Sequence, residues 1–169
     1  MSLEKHRSES PDQIRFAVLT FSDTRDESAD RGGAYLVETL EGAGHAVTAR
    51  SIHKDEPDQI TEAVRAACER DDVDLVLTTG GTGIAPRDVT VPTLLEIFDS
   101  EIPGFGELFR WLSYQEIGSA TILSRATGGM ISGKVVLALP GSPKALRLAM
   151  DEIILKEAGH LVSQSRRTR

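Results

Sequence analysis

No second cysteine accompanies Cys68 in this 169-residue chain, so an intrachain disulfide is impossible and a CxxC metal site is excluded. That usage fits a reducing, cytoplasmic setting. Long apolar runs are missing as well. None approaches the roughly 18 residues needed to span a bilayer. The first ten residues, "MSLEKHRSES", lead into no apolar segment of the secretory kind. A membrane role is therefore not expected. Positive charge is also short: the formal net charge is −7, and the broad basic field that nucleic acid would require is absent. The basic run that does occur, "RRTR" at Arg166–Arg169, is expected as a solvated tail.

What remains is ordinary for one soluble domain, with 40% hydrophobic and 27% charged residues. Residues 1–12 are polar and without period, and are expected to be a disordered tail. Residues 13–163 carry the folding pattern, and 164–169 close the chain as a basic tail.

Apolar runs at Ile14–Phe21, His45–Ile52, Val73–Thr79 and Lys134–Pro140 predict strands. The third and fourth are nearly continuous, as suits central strands covered on both faces. Helices are predicted between them. Residues 33–42 place Leu36, Val37 and Leu40 on one face. Pro57 suits a first helical turn, and Ile60, Ala63, Val64, Ala67 and Cys68 form a buried stripe behind it. Pro92 is expected to open a helix with Leu94, Leu95 and Phe98 inside. Phe105, Leu108, Phe109 and Leu112 again sit at helical spacing. A long helix then starts at Ser142-Pro143 and runs to Leu161. Strands alternating with helices predict a three-layer α/β/α domain around a mostly parallel sheet.

Chemistry concentrates where these strands end. "TTGGTGIAPRD" follows the third, and its glycines let a ligand approach the backbone. The stretch reads as an anion cradle or as a tight turn needing glycine only for its dihedrals; Arg87 and Asp88 beside it favour the cradle. Asp23 and Asp55 follow the first two strands. In a parallel sheet these loops share one edge with Asp88, so the three acids could converge on Mg2+ and nucleotide phosphates. Asp23 and Asp55, each taken alone, are more often turn formers or helix caps; their convergence with the glycine loop favours the ligand reading. Gly141 and Ser142, with Lys144 nearby, offer either a second anion site or a plain capped helix start. "GGMISGK" imitates a Walker A loop, but Val135 stands where a hydroxyl residue is required and a strand follows, so it reads as a loop leading into that strand.

Taken in order, "FSDTR", "TTGGTGIAPRDVT", "EIPGFGELFRWLSYQEIGSATILSRATGG" and "LALPGSPKA" resemble the molybdenum cofactor biosynthesis family of the MogA, MoaB and gephyrin G-domain type, from Ile14 to Leu161. "GFGELFRWLSYQEIG" is more similar to the MoaB branch. The resemblance implies an α/β/α fold assembling as homotrimers or homohexamers. It implies molybdopterin as ligand and, in active members, transfer of AMP from Mg-ATP to its phosphate. A downstream partner then inserts molybdenum. Carried over by motif, Asp55 and Asp88 become the catalytic, magnesium-binding carboxylates. Ser22, Asp23, Thr79, Gly80, Gly81, Thr82, Gly83, Glu107, Ser124, Arg125, Gly141 and Ser142 become the substrate-binding set. Glu107 would meet a pterin N–H edge or a neighbouring helix. This chain departs from the family at His53-Lys54, where Val or Pro usually precedes the acid. A carrier that binds molybdopterin without turnover is the alternative.

Overall fold

Along Arg15–Phe21 (β1), Phe16 and Val18 face one hydrophobic core while Ala17, Leu19 and Phe21 face another. The same alternation divides Leu75–Thr79 (β3) and Lys134–Leu139 (β6): Leu75, Leu77, Val135 and Leu137 join the first core, Val76, Val136 and Ala138 the second. Successive strand residues point to opposite faces. A continuous apolar run therefore marks a strand covered on both sides, which makes the molecule three layers deep.

The computed structural model describes residues 10–167. Within them, Ala46–His53 (β2), Ser100–Glu101 (β4) and Thr127–Ile131 (β5) complete one six-stranded sheet in the order β2-β1-β3-β6-β5-β4. The first four strands of that order are parallel, and β5 runs antiparallel to both of its neighbours. Helices Arg31–Gly42 (α1), Pro103–Ile117 (α4), Pro143–Ala149 (α5) and Leu155–Ser165 (α6) supply the first core. Pro57–Glu69 (α2) and Thr90–Ile97 (α3) supply the second. Among the described residues no helix is long and apolar enough to cross a membrane.

Four local expectations are corrected. The "GGMISGK" segment is not a loop: Gly128 and Gly129 lie in β5, and Ser132-Gly133 turn the chain into β6. Helix α3 begins two residues before Pro92. Leu95 is exposed on it, and Phe98 lies just past its end. The last helix is not uniform, because Met150–Ile154 widens into a π turn between α5 and α6. Finally, α6 continues into the supposed tail, and Arg166 bonds the buried Asp74, which Arg15 also holds at 2.7 Å. Of the expected N-terminal tail, residues 1–9 lie outside the described residues, as do Thr168 and Arg169 at the other end. Pro11 packs at Gly159 of α6.

Register brings the parallel strands to a common edge. Phe21 pairs with His53, Thr20 with Thr79, and Thr79 with Leu139. The loops that leave those residues therefore emerge side by side, where open α/β sheets hold their ligands.

Candidate functional site

Those loops enclose a cleft of about 540 Å³. Its floor is the glycine turn after β3. Gly80 has φ +102° and Gly81 has φ +61°, conformations that side chains rarely adopt. Close packing reinforces the requirement. A β-carbon on Gly80 would strike the Phe21 carbonyl, and one on Gly81 would come within 2.7 Å of the Asp55 carboxylate. Thr82 and Gly83 continue the floor, with the Asp88 carboxylate behind Gly83.

Asp55 is 7% exposed and follows β2. Thr90, the first residue of α3, donates its hydroxyl to Asp55 at 3.1 Å. Burial pushes the Asp55 carboxyl up; the Thr90 bond opposes this, and the neighbouring charges of Asp23 and Asp88 add to it. Asp23 is in the opposite position. Arg87 grips it through Nε at 2.7 Å and Nη2 at 3.0 Å, and its carboxyl is held below the usual range by that bond. Asp23 also accepts the Asp55 backbone N–H at 3.3 Å, which ties the first two loops together. Arg87 reaches on to Glu56 at 2.6 Å. Asp88 accepts the Ala85 N–H at 2.9 Å through one of its oxygens.

The far wall is the start of α5. Ser142 caps it by accepting the Ala145 N–H at 3.2 Å, and Gly141 lies directly above Gly80. Apolar walls come from α4 and the 3-10 turn over Gly118–Leu123 through Phe109, Ile117 and Leu123. Among the described residues no group of three or more His, Cys, Asp or Glu side chains forms a metal cage. Two carboxylates together with substrate oxygens and water are nevertheless the donor set that Mg2+ accepts. Asp55 and Asp88 are the carboxylates of the cleft that could contribute to such a set, and a cation there would relieve the repulsion that Asp23 and Asp88 exert on Asp55.

Of the sequence-assigned residues, Ser22, Asp23, Asp55, Gly80 to Gly83, Asp88, Ser124, Gly141 and Ser142 come together around the cleft. Thr79 lies fully buried beneath it, bonded to the Pro140 carbonyl. Two assigned residues are placed elsewhere. Glu107 opens onto a separate depression on the outer side of α4, because the neighbouring positions Phe105 and Phe109 occupy the core. Arg125 lines that same depression, where its Nη2 donates to the Asp88 carbonyl at 2.6 Å and its own N–H bonds the Thr82 carbonyl. It props the glycine loop from behind. Sequence reasoning missed Arg25, whose guanidinium enters the cleft beside Gly141, and Thr90, the partner of Asp55. The "FSDTR" motif contains Arg25 and could have signalled it; nothing local pairs Thr90 with Asp55.

Comparisons with known proteins identify the family. Residues 17–160 match the family model described as "Probable molybdopterin binding domain". Molybdenum cofactor biosynthesis protein B of Bacillus cereus is 49% identical over 168 residues, covering 99% of each chain. That of Bacillus subtilis is 47% identical over 168 residues, again covering 99% of each. A crystal structure of molybdenum cofactor biosynthesis protein B superposes with a TM-score of 0.90 at 50% identity, covering 95% of this chain and 100% of the other. The tungsten cofactor synthesizing protein MoaB from Pyrococcus furiosus superposes with a TM-score of 0.83 at 37% identity, over 94% and 100% of the two chains. The chain belongs to the molybdopterin-binding domain family of the molybdenum cofactor biosynthesis proteins, in its MoaB branch.

Proposed function

We propose that the cleft binds molybdopterin and Mg-ATP and transfers AMP to the molybdopterin phosphate. The observation that carries this reading is the buried Asp55 carboxylate, pressed against Gly81 and facing a backbone cradle built for anions. A phosphate oxygen of molybdopterin would attack the α-phosphorus of ATP. The bond from that phosphorus to the bridging oxygen would break, and pyrophosphate would leave with the electron pair. Two anions must meet for this, so positioning and charge neutralisation are most of the task. The glycine loop and the N-terminus of α5 would orient phosphate through N–H groups. Mg2+ bound by Asp55 and Asp88 would supply charge neutralisation for the triphosphate. Phe109, Ile117 and Leu123 offer an apolar wall to a planar ring.

Binding without turnover is the second reading. It draws on Arg87, whose guanidinium is committed to Asp23 and Glu56 rather than to a ligand. Pyrophosphate release from Mg-ATP in the presence of molybdopterin decides between them. Release supports transfer. Molybdopterin binding with no release, and with no magnesium-dependent ATP binding whether pterin is present or not, leaves a carrier. Self-assembly with threefold symmetry belongs to the same proposal. Trp111 is 60% and Ile122 77% exposed, with Leu108 and Tyr114 nearby on α4, an apolar surface of the kind that marks interfaces.

A further inference from the structure

Beside the main cleft lies a second depression of about 500 Å³ that shares Ser22 and Arg25 with it. Its remaining wall comes from the end of β2 and the His53-Lys54 step, where this chain departs from the usual Val or Pro. We propose that this depression is a subsite for the distal phosphates of a nucleoside triphosphate and for the pyrophosphate released from it. The inference rests on the transfer reading above and assigns the leaving group a place within it.

The charges favour an anion. Arg25 and Lys54 both line the depression; among the described residues neither makes a direct ion pair, although the Lys54 charge acts on the nearby Asp23 carboxylate. Lys54 donates instead to the Asp23 carbonyl at 2.9 Å, which holds its ammonium at the junction of the two cavities. Arg50 is balanced by the buried Asp30 at 3.0 Å but keeps a third of its side chain exposed. Asp26 and Glu27 stand on the opposite rim. Asp26 is turned into its own loop, accepting the Ser28 hydroxyl at 2.6 Å and the Ala29 N–H at 3.0 Å. Two cations so placed, neither in a direct ion pair, stand out in a chain of net charge −7. Such a protein exerts no global attraction on a polyphosphate, so capture must be local.

The position suits the chemistry. Asp55 sits one residue beyond Lys54 and faces the main cleft. Phosphates that leave the reaction centre past Asp55 meet Lys54 and Arg25 next. Guanidinium and ammonium groups stabilise phosphate oxygens by charge-assisted hydrogen bonds.

Calorimetric titration of the full chain with inorganic pyrophosphate tests the proposal. Wild-type protein should bind it, and Lys54→Met should weaken binding about tenfold, the loss expected for one charge-assisted contact. Arg25→Met should do the same, whereas Lys156→Met on the far helix should change nothing. Lys54 lines the second depression and not the main cleft, so it is the decisive variant. Equal pyrophosphate affinity in wild type and Lys54→Met overturns the subsite, as does no binding at all. If either occurs while wild type still releases pyrophosphate from Mg-ATP with molybdopterin, the transfer reading survives alone. If Lys54→Met loses pyrophosphate binding but wild type shows no release, the anion subsite stands and the transfer reading falls.

Discussion

A β-carbon placed on Gly81 would lie 2.7 Å from both carboxylate oxygens of Asp55. The same hypothetical atom would collide with the Thr90 hydroxyl that Asp55 accepts. Asp55 therefore meets both Gly81 and Thr90 of a later segment at one point, and the glycine is required by what surrounds it as well as by its φ of +61°. Gly81→Ala should cost about 1–3 kcal/mol in chemical denaturation and displace Asp55, with loss of ligand binding. Gly44→Ala is the control. Its φ is +88°, but no atom lies within 4 Å of the added carbon. It should carry a cost of about 1 kcal/mol and bind ligand normally. Equal binding in both variants would remove Gly81 from the site.

Asp55→Asn separates stability from function. Burial raises the Asp55 carboxyl above its unfolded-state value. Stability associated with a raised acid is fully present below the unfolded-state value and lost as pH rises through the folded-state value. Ionised Asp55 therefore weakens the ligand-free fold at neutral pH, and an asparagine can still accept from Thr90. The variant should melt higher than wild type at pH 7. That advantage should vanish under acid conditions where both forms are neutral, while magnesium-dependent ATP binding is lost. A lower melting temperature at pH 7 would contradict the burial argument.

Asp88→Asn should lower the rate of pyrophosphate release by on the order of 100-fold while leaving molybdopterin binding nearly intact. The neutral side chain can keep the Ala85 N–H bond seen at 2.9 Å but not the charge. Unchanged turnover would exclude Asp88 from the reaction.

Arg125→Met removes the prop behind the glycine loop. The Asp88 carbonyl would lose its 2.6 Å bond, at a cost of about 1–3 kcal/mol in denaturation. Nucleotide binding should weaken with it, since the loop carries Asp88. A variant of wild-type stability would show that the backbone bond from Arg125 N–H to Thr82 suffices alone.

Trp111→Glu places a charge on the exposed apolar face of α4. The wild-type chain should scatter light as a trimer or hexamer at micromolar concentration, and the variant should shift toward monomer without change in its circular dichroism. A monomeric wild type would remove the assembly.

Hydrophobic period alone carried most of the architecture. Four apolar runs became the four parallel strands: β1, β3 and β6 contribute buried side chains to both cores, while β2, at the sheet edge, sends only the partly buried Val47 and Ala49 against them. The stripe from Ile60 to Cys68 became the buried side of α2. The glycine-rich stretch and the acids after each strand were also legible, since a parallel sheet gathers such loops at one edge. Strand β5 was not. "TGGMI" has two glycines, which give no side-chain pattern, and its strand character comes from pairing with β6 across a tight hairpin.

Other features were decided by contacts that no local pattern encodes. For Glu107 the deciding fact is which face of α4 packs inward: with the Phe105 and Phe109 rings in the core, the acid opens onto the outer side, away from the cleft. Arg166 leaves the expected tail because Asp74, 92 positions earlier, is buried and needs cationic partners. The pairings of Asp55 with Thr90 and of Arg125 with the Asp88 carbonyl span 35 and 37 positions. Sequence determined most of the strands and helices, because burial on one face or two imposes its own period. Only the tertiary structure decided which side chains meet, because such contacts depend on distance in space between residues that the chain itself keeps apart.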